Sequence, residues 1–186
     1  MMPEISLNIL DVAENSVRAG ASLIEIGVFV QTEEDTLTVT IADDGCGMSQ
    51  EQTEKVQDPF YTTRTTRRVG LGVPFFKQAA ESAGGSFSIR SEQGKGTVVK
   101  AVFQLSHIDR MPLGDISSTI HTLAVFHEQI RFIYTYRYNE NEFVLDTREI
   151  REILGEEISF TDLEVSRFIK EFLEANKAET DQGADI

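Results

Sequence analysis

Tryptophan is absent, cysteine occurs once and proline four times in the 186 residues. Cys46 alone can form neither an internal disulfide nor a cysteine-based zinc cage, which points to a reducing compartment, the cytoplasm. No apolar run approaches the ~20 residues of a membrane span, and Met1 to Asn8 lack the basic, hydrophobic pattern of a signal segment. Positive charge is scarce: 17 basic residues stand against 31 acidic ones, for a net charge of −14. That balance speaks against nucleic acid and membrane as partners. A nucleotide held by local charge remains compatible with it.

Glycine is plentiful but uneven. Ten of the 13 glycines precede Ser106, while the later residues carry 17 acids and 8 bases. The glycine-rich part reads as the site-bearing domain (1–106), followed by a small acidic α/β unit (107–176) and a polar, disordered tail (177–186). The second unit is small for independent folding and is expected to pack on the first.

Periodicity predicts a helix over 5–19, strands over 23–30 and 36–42, and short helices over 50–56 and 72–83. Gly84-Gly85 ends the latter, and 86–91 and 97–105 form a hairpin around Gln93-Gly94-Lys95-Gly96. The order implies an α/β sandwich: a mixed sheet with helices on one face. Beyond it come a helix over 115–127, a hairpin of 131–138 with 142–145, and helices over 147–154 and 162–174. Thr161, three residues before Glu164, has the spacing of a capping box.

Three features carry chemistry. On the first helix Asn8, Asp11, Asn15 and Arg18 recur at steps of three and four and share a face, apart from Ile5, Ile9, Val12 and Val17. Such a stripe reads equally as a solvated surface. Asp43-Asp44-Gly45-Cys46-Gly47-Met48 ends a strand with a carboxylate and two glycines, which suits close approach of a ligand, or simply a tight turn. Gly70-Leu71-Gly72 opens a helix whose free N–H groups suit phosphate.

Asp11 to Ala21, Asp43 to Met48, Asp58-Pro-Phe-Tyr-Thr-Thr-Arg64, Gly70-Leu-Gly72 and Gly94-Lys-Gly96-Thr97 together resemble the boxes of the GHKL ATPase superfamily. That superfamily spans gyrase, heat-shock chaperones, histidine kinases and MutL-type repair proteins. The resemblance covers roughly residues 5–105, with five motifs in order, and implies a Bergerat fold binding ATP with Mg²⁺. By the same resemblance Asn15 ligates Mg²⁺ and Asp43 accepts the adenine amino group. Gly45, Gly47 and Met48 lie in the base-binding segment, and Thr97 holds a water that also touches adenine. Gly70, Leu71 and Gly72 cradle phosphates, and 58–72 form a lid in which Thr62, Thr63 and Arg64 face the nucleotide. Arg67 and Arg68 are further phosphate candidates.

Two departures stand out. Asp11 occupies the general-base position where hydrolysing and kinase members carry glutamate, and it is one methylene shorter. Val69 stands where many members have glycine, in a short lid. Glu14 reads as supporting or exposed, and Cys46 as a small buried side chain.

The glycine boxes resemble the histidine-kinase branch, but His107, His121 and His127 all follow the domain, against autophosphorylation on histidine. Only Lys170 in 107–176 offers itself as a MutL-type γ-phosphate lysine, which disfavours DNA repair. The whole chain resembles small stand-alone ATP-binding proteins encoded near iron hydrogenase genes. The expected function is a Mg-dependent regulatory ATPase or serine/threonine-type protein kinase with a phospho-acceptor protein. The alternative is a non-catalytic ATP-sensing switch whose lid and C-terminal unit bind a protein partner.

Overall fold

Strand periodicity sets the layers. In the computed structural model, which describes residues 2–60 and 71–186, Leu37, Val39 and Ile41 are buried while Thr36, Thr38 and Thr40 are half-exposed. That alternation belongs to a sheet covered on one face. The described elements are α1 (Ile5–Arg18), β1 (Leu23–Gln31), β2 (Thr36–Asp43), α2 (Gln50–Lys55), α3 (Gly72–Ser82), β3 (Ser86–Glu92) and β4 (Gly96–Gln104). They continue with α4 (Ile116–Phe126), β5 (Arg131–Tyr138), β6 (Asn141–Asp146), α5 (Thr147–Leu154) and α6 (Leu163–Asp181).

Register carries the buried set across the sheet. Ile26, Val28 and Val30 of β1 lie opposite Ile41, Val39 and Leu37 of β2, and Val99, Ala101 and Phe103 of β4 oppose the same three. The helices α3, α1, α4 and α6 cover this face, each touching the next. The fold is thus the α/β sandwich expected from the sequence, with a mixed sheet and the main helices on one side.

The segment after 106 is joined to the first more intimately than a packed neighbour. β5 runs parallel to β1 and β6 antiparallel to β5, so one six-stranded sheet has the order β3-β4-β2-β1-β5-β6. Phe132, Tyr134 and Tyr136 sit beside Ile24, Ile26 and Val28 on the covered face, and a single core cluster contains residues from Ile5 to Ile186. A parallel neighbour needs a long crossover, here the connection through α4, and local sequence does not say which strand it will join.

The tail is a correction. Residues 177–186 were expected to be disordered; instead α6 continues to Asp181, where the Gln182 cap adopts a left-handed conformation (φ 54°). Asp181 is buried and holds three groups. The Tyr136 hydroxyl donates to its Oδ2 at 2.8 Å and Lys177 Nζ to the same oxygen at 2.6 Å, while Gly183 N–H donates to Oδ1 at 2.9 Å. Burial, followed by the Asp181 contact, drives the Tyr136 phenol far above its ordinary range. Beyond it the Ile186 side chain is buried and its carbonyl accepts the Leu113 N–H at 2.8 Å. A polar terminus can be ordered when its polar groups are this well paired.

The capping of α6 also differs. Asp162, not Thr161, is the N-cap, with Oδ1 accepting the Glu164 and Val165 N–H groups at 3.0 and 3.4 Å. A capping box does form at α2, where Gln52 N–H donates to Ser49 Oγ and Ser49 N–H to Gln52 Oε1.

Candidate nucleotide site

The inward alternation of β2 does not stop at Ile41. Its next member is Asp43, which opposes Ile24 of β1 on the covered side, so a carboxylate ends the row of buried apolar residues. Two groups hold it: Ser16 Oγ from α1 donates to Oδ2 at 2.5 Å, and Gly45 N–H donates to Oδ1 at 2.9 Å. Thr97 is the β4 partner of Asp43 in the register, so the two share a face at one end of the sheet.

Asp44 has a different task. It accepts Ser22 Oγ at 2.5 Å, Ser22 N–H at 2.8 Å and Leu23 N–H at 2.9 Å. These bonds, the Ser22 hydroxyl first and then the Leu23 amide, hold its carboxyl below the usual range. Asp44 thereby fastens the loop to the start of β1.

The loop then lies against the β3–β4 turn. Gly94 N–H donates to Cys46 O at 2.7 Å, and Met48 N–H to Ser91 Oγ at 2.8 Å. Ser91 Oγ also reaches Gly96 O (3.0 Å) and Thr97 Oγ1 (2.8 Å). Gly47 has φ 65°, and a Cβ there would overlap the Glu92 carbonyl; only glycine satisfies both conditions. Gly47→Ala is therefore expected to destabilise the protein by roughly 2–4 kcal/mol. Gly94→Ala, at φ 79° but facing open space, should cost only about 1 kcal/mol. Urea denaturation of the two variants checks the contrast.

A second group of residues gathers at the start of α3. Among the described residues no side chain caps this helix, which leaves first-turn N–H groups to an anion. A Cβ on Gly72 would lie 3.0 Å from Asp11 Cβ, so glycine lets the helix start approach the Asp11 turn of α1. Asn15, one turn further along, accepts the Arg18 guanidinium at 2.5 Å on Oδ1.

The structure therefore brings Asp43, Gly45, Gly47, Met48 and Thr97 together at one end of the sheet, and Asp11 against Gly72. Of the remaining expected residues, Thr62, Thr63, Arg64, Arg67, Arg68 and Gly70 lie outside the described residues. Two readings are corrected. Asn8 is fully buried rather than on a solvated stripe with Asp11 and Asn15. Cys46 is exposed, not buried: its backbone N–H and C=O are tied to Ala19 and Gly94, and its side chain faces outward. Glu14, expected to be supporting or exposed, supports: its Oε1 lies 2.8 Å from Nε2 of His127, the C-cap of α4, and so links two helices. Sequence reasoning missed Ser16 and Ser91, the hydroxyls that hold the two sides of the loop. The register, which pairs Ser91 with Thr97, could have singled out Ser91, whereas Ser16 lies on α1 and is found only from how the helix packs on the strand end.

A magnesium ion fits the donors present. No three His, Cys, Asp or Glu side chains gather into a metal site among the described residues, so a cage made by protein alone is not offered. Asn15 Oδ1 is a hard oxygen that already receives a cationic group, and Mg²⁺ favours one or two protein oxygens supplemented by phosphate and water.

Fold and site together define an ATP-binding α/β sandwich of the GHKL, or Bergerat, type. Residues 4–107, just over half of the chain, match the Histidine kinase-, DNA gyrase B-, and HSP90-like ATPase family, and the chain belongs to it. A putative sensor protein of Shewanella frigidimarina is 29% identical over 107 residues, covering 57% of this chain and 16% of that protein. Sensor protein SrrB of Staphylococcus aureus is 33% identical over 101 residues, or 52% of this chain and 17% of its own length. Sporulation kinase E of Bacillus subtilis is 35% identical over 66 residues, 36% of this chain and 9% of that protein. The chain thus spans less than a fifth of the length of these relatives. A solved structure, the N-terminal domain of a DNA repair protein, superimposes with a TM-score of 0.55 at 18% identity, covering 83% of this chain and 58% of the other. That likeness concerns the fold, and it reaches beyond the segment matched to the family.

Proposed function

We propose that this protein is a Mg-dependent regulatory ATPase or serine/threonine-type protein kinase of the cytoplasm, with Asp11 as its general base. The observation that carries the reading is the approach of Asp11 to Gly72 at the start of α3, in a chain whose Asp43 and Thr97 share a face at one end of the sheet. Asp43 would accept the adenine amino group and Thr97 would hold a water against the base. Gly45, Gly47 and Met48 would line that side, while Leu71 and Gly72 would present backbone N–H groups to the phosphates.

Asn15 would hold Mg²⁺, which when bound neutralises phosphate charge. The carboxylate of Asp11 takes the proton of an attacking water or serine/threonine hydroxyl. As it does so, the oxygen bonds to the γ-phosphorus and the bond to the bridging oxygen breaks, releasing ADP. Asp is one methylene shorter than Glu, so turnover is slow.

A second reading, an ATP-sensing switch with a protein partner, is favoured by the exposed apolar residues of the C-terminal segment. Ile153 is 85%, Leu163 71% and Phe168 57% exposed.

ADP release under Mg-ATP decides between the two. Asp11→Asn should lower turnover by roughly 100-fold or more, within the range for loss of a positioned base, while ATP binding by calorimetry changes little. Unaltered turnover in the variant would remove Asp11 from the mechanism. Tight ATP binding with no turnover in the parent chain, with or without an acceptor protein, would leave the switch.

A further inference from the structure

Register and alternation also define the side of the sheet turned away from α3, α1, α4 and α6. Val98 and Val102 of β4, Phe29 of β1, Ile133 of β5 and Val144 of β6 lie on it. Thr38 and Thr40 of β2 stand among them. Val98 is 46% and Val144 47% exposed. Phe29 does not stand out from this surface. A Cβ on Gly27 would lie 2.4 Å from the Phe29 ring, so the ring is folded down over the glycine, with the Arg137 guanidinium 5.4 Å from its centroid. The face is therefore low in relief, the shape that lets a second sheet approach to ~10 Å.

Its charge departs from that of the chain. Acids outnumber bases 31 to 17 overall, yet on this face they balance. The β3–β4–β2 half carries Arg90, Lys100 and Glu92, for +1. The β1–β5–β6 half carries Glu25, Arg131, Arg137, Glu142 and Asp146, for −1. Arg131 is paired with Asp146 and Arg137 with Glu142, so Glu25 sets the sign of that half.

We propose that this face is an interface between two copies of the chain, packed sheet on sheet about a two-fold axis parallel to the strands. The axis passes between β2 and β1, the middle of the six strands. It lays the β3–β4–β2 half of each copy over the β1–β5–β6 half of the other, so halves of opposite sign meet. Val98 of one copy then faces Ile133 of the other. A second copy fits this face better than the remaining surface: the segment after 106 carries 17 acids and 8 bases, and its acidic helices repel their own counterparts. Six strands ~4.8 Å apart and about seven residues long at ~3.3 Å each give roughly 650 Å² per copy, or about 1,300 Å² in all. That falls within the ~1,200–2,000 Å² of a specific, stable interface. Asp43 lies on the helical side of the sheet, so the nucleotide site stays open in both copies.

Sedimentation equilibrium of the full chain tests this directly. The expected result is a reversible dimer of about 42 kDa, twice the 20.8 kDa of the chain, populated by ~100 µM protein. Val98→Glu and Val144→Glu, each at an exposed position, should weaken the dimer at least ~10-fold, because each buries two unpaired carboxylates per dimer. Circular dichroism checks that the variants fold, and one folded variant is enough. Phe168→Glu, exposed on α6, should leave the dimer unchanged. A chain that stays monomeric at every concentration, a dimer that a folded valine variant leaves intact, or a dimer broken by Phe168→Glu would each overturn the proposal. The first result leaves the face to water or to a different protein, and the last places the contact on α6.

Discussion

Asp43→Asn is expected to weaken ATP binding by roughly 10- to 100-fold while leaving the fold almost as stable as before. The carboxylate is an acceptor only, and each oxygen already serves one protein donor, Ser16 Oγ or Gly45 N–H. A second lone pair on either oxygen remains for a nucleobase amino group. In the variant the amide oxygen must face Gly45, because the backbone N–H cannot accept, and the amide NH₂ then faces Ser16, whose hydroxyl can turn to accept it. The internal contacts survive this exchange, so unfolding free energy should move by no more than about 1 kcal/mol. A base that uses the Oδ2 side meets a donor where it needs an acceptor, and one that uses the Oδ1 side loses the charge; a hydrogen bond to a charged group is worth about 1.5–3 kcal/mol. At 1.4 kcal/mol per tenfold that gives the stated range. Isothermal calorimetry with ATP, run beside thermal melting, measures both quantities. A melting temperature that falls in step with affinity would mean that Asp43 is a scaffold residue and not a ligand.

Removal of residues 177–186 has the largest expected effect on stability, about 3–5 kcal/mol. The deletion takes away Asp181 and leaves the Tyr136 hydroxyl buried without its acceptor, next to Tyr134, whose hydroxyl has no partner among the described residues. It also removes the Lys177 ammonium 5.3 Å above the Tyr136 ring, the buried Ile186 side chain and the carbonyl that pairs with Leu113 N–H. For a chain of this size each kcal/mol lowers the melting temperature by ~2–4 °C, so circular dichroism of the truncated chain should show a fall of roughly 10 °C. An unchanged melting curve would mean that these ordered contacts contribute nothing net.

Asp181 also shows where sequence reading stops. Lys177 to Ile186 is a polar stretch with little apolar content, and composition alone sends such a stretch into solvent. Its order depends on a hydroxyl presented by β5, 45 residues away in the chain. The same applies to Asn8. It shares a helical face with Asp11 and Asn15, but it is fully buried while those two are only half-buried, so one stripe runs from core to surface. At α6 the spacing of Thr161 and Glu164 points to Thr161, yet Asp162 caps the helix, because the cap is set by where the chain turns and not by residue type.

Local rules were enough for much else. The alternation of β2, β4 and β5 and the apolar spacing of α1 dictate strands and a helix almost to the observed ends, because side-chain period follows backbone geometry wherever one face is buried. The Asp43-to-Met48 loop and the Gly70-Leu71-Gly72 box are likewise local, since a strand end, a glycine turn and an open helix start are each made by adjacent residues. With the other boxes of residues 5–105 they carry the resemblance to the ATPase family that the match over 4–107 bears out.

What the sequence determined by itself is therefore the list of elements, the inward face of each strand and the residue types of a nucleotide site. The tertiary structure decided which elements meet. It seated β5 beside β1, set Thr97 opposite Asp43, brought Ser16 and Ser91 to opposite sides of one loop and ordered the tail around Asp181. The physical reason is range: periodicity and turn chemistry act over a few residues, whereas pairing and burial act between residues whose distance along the chain carries no local signature.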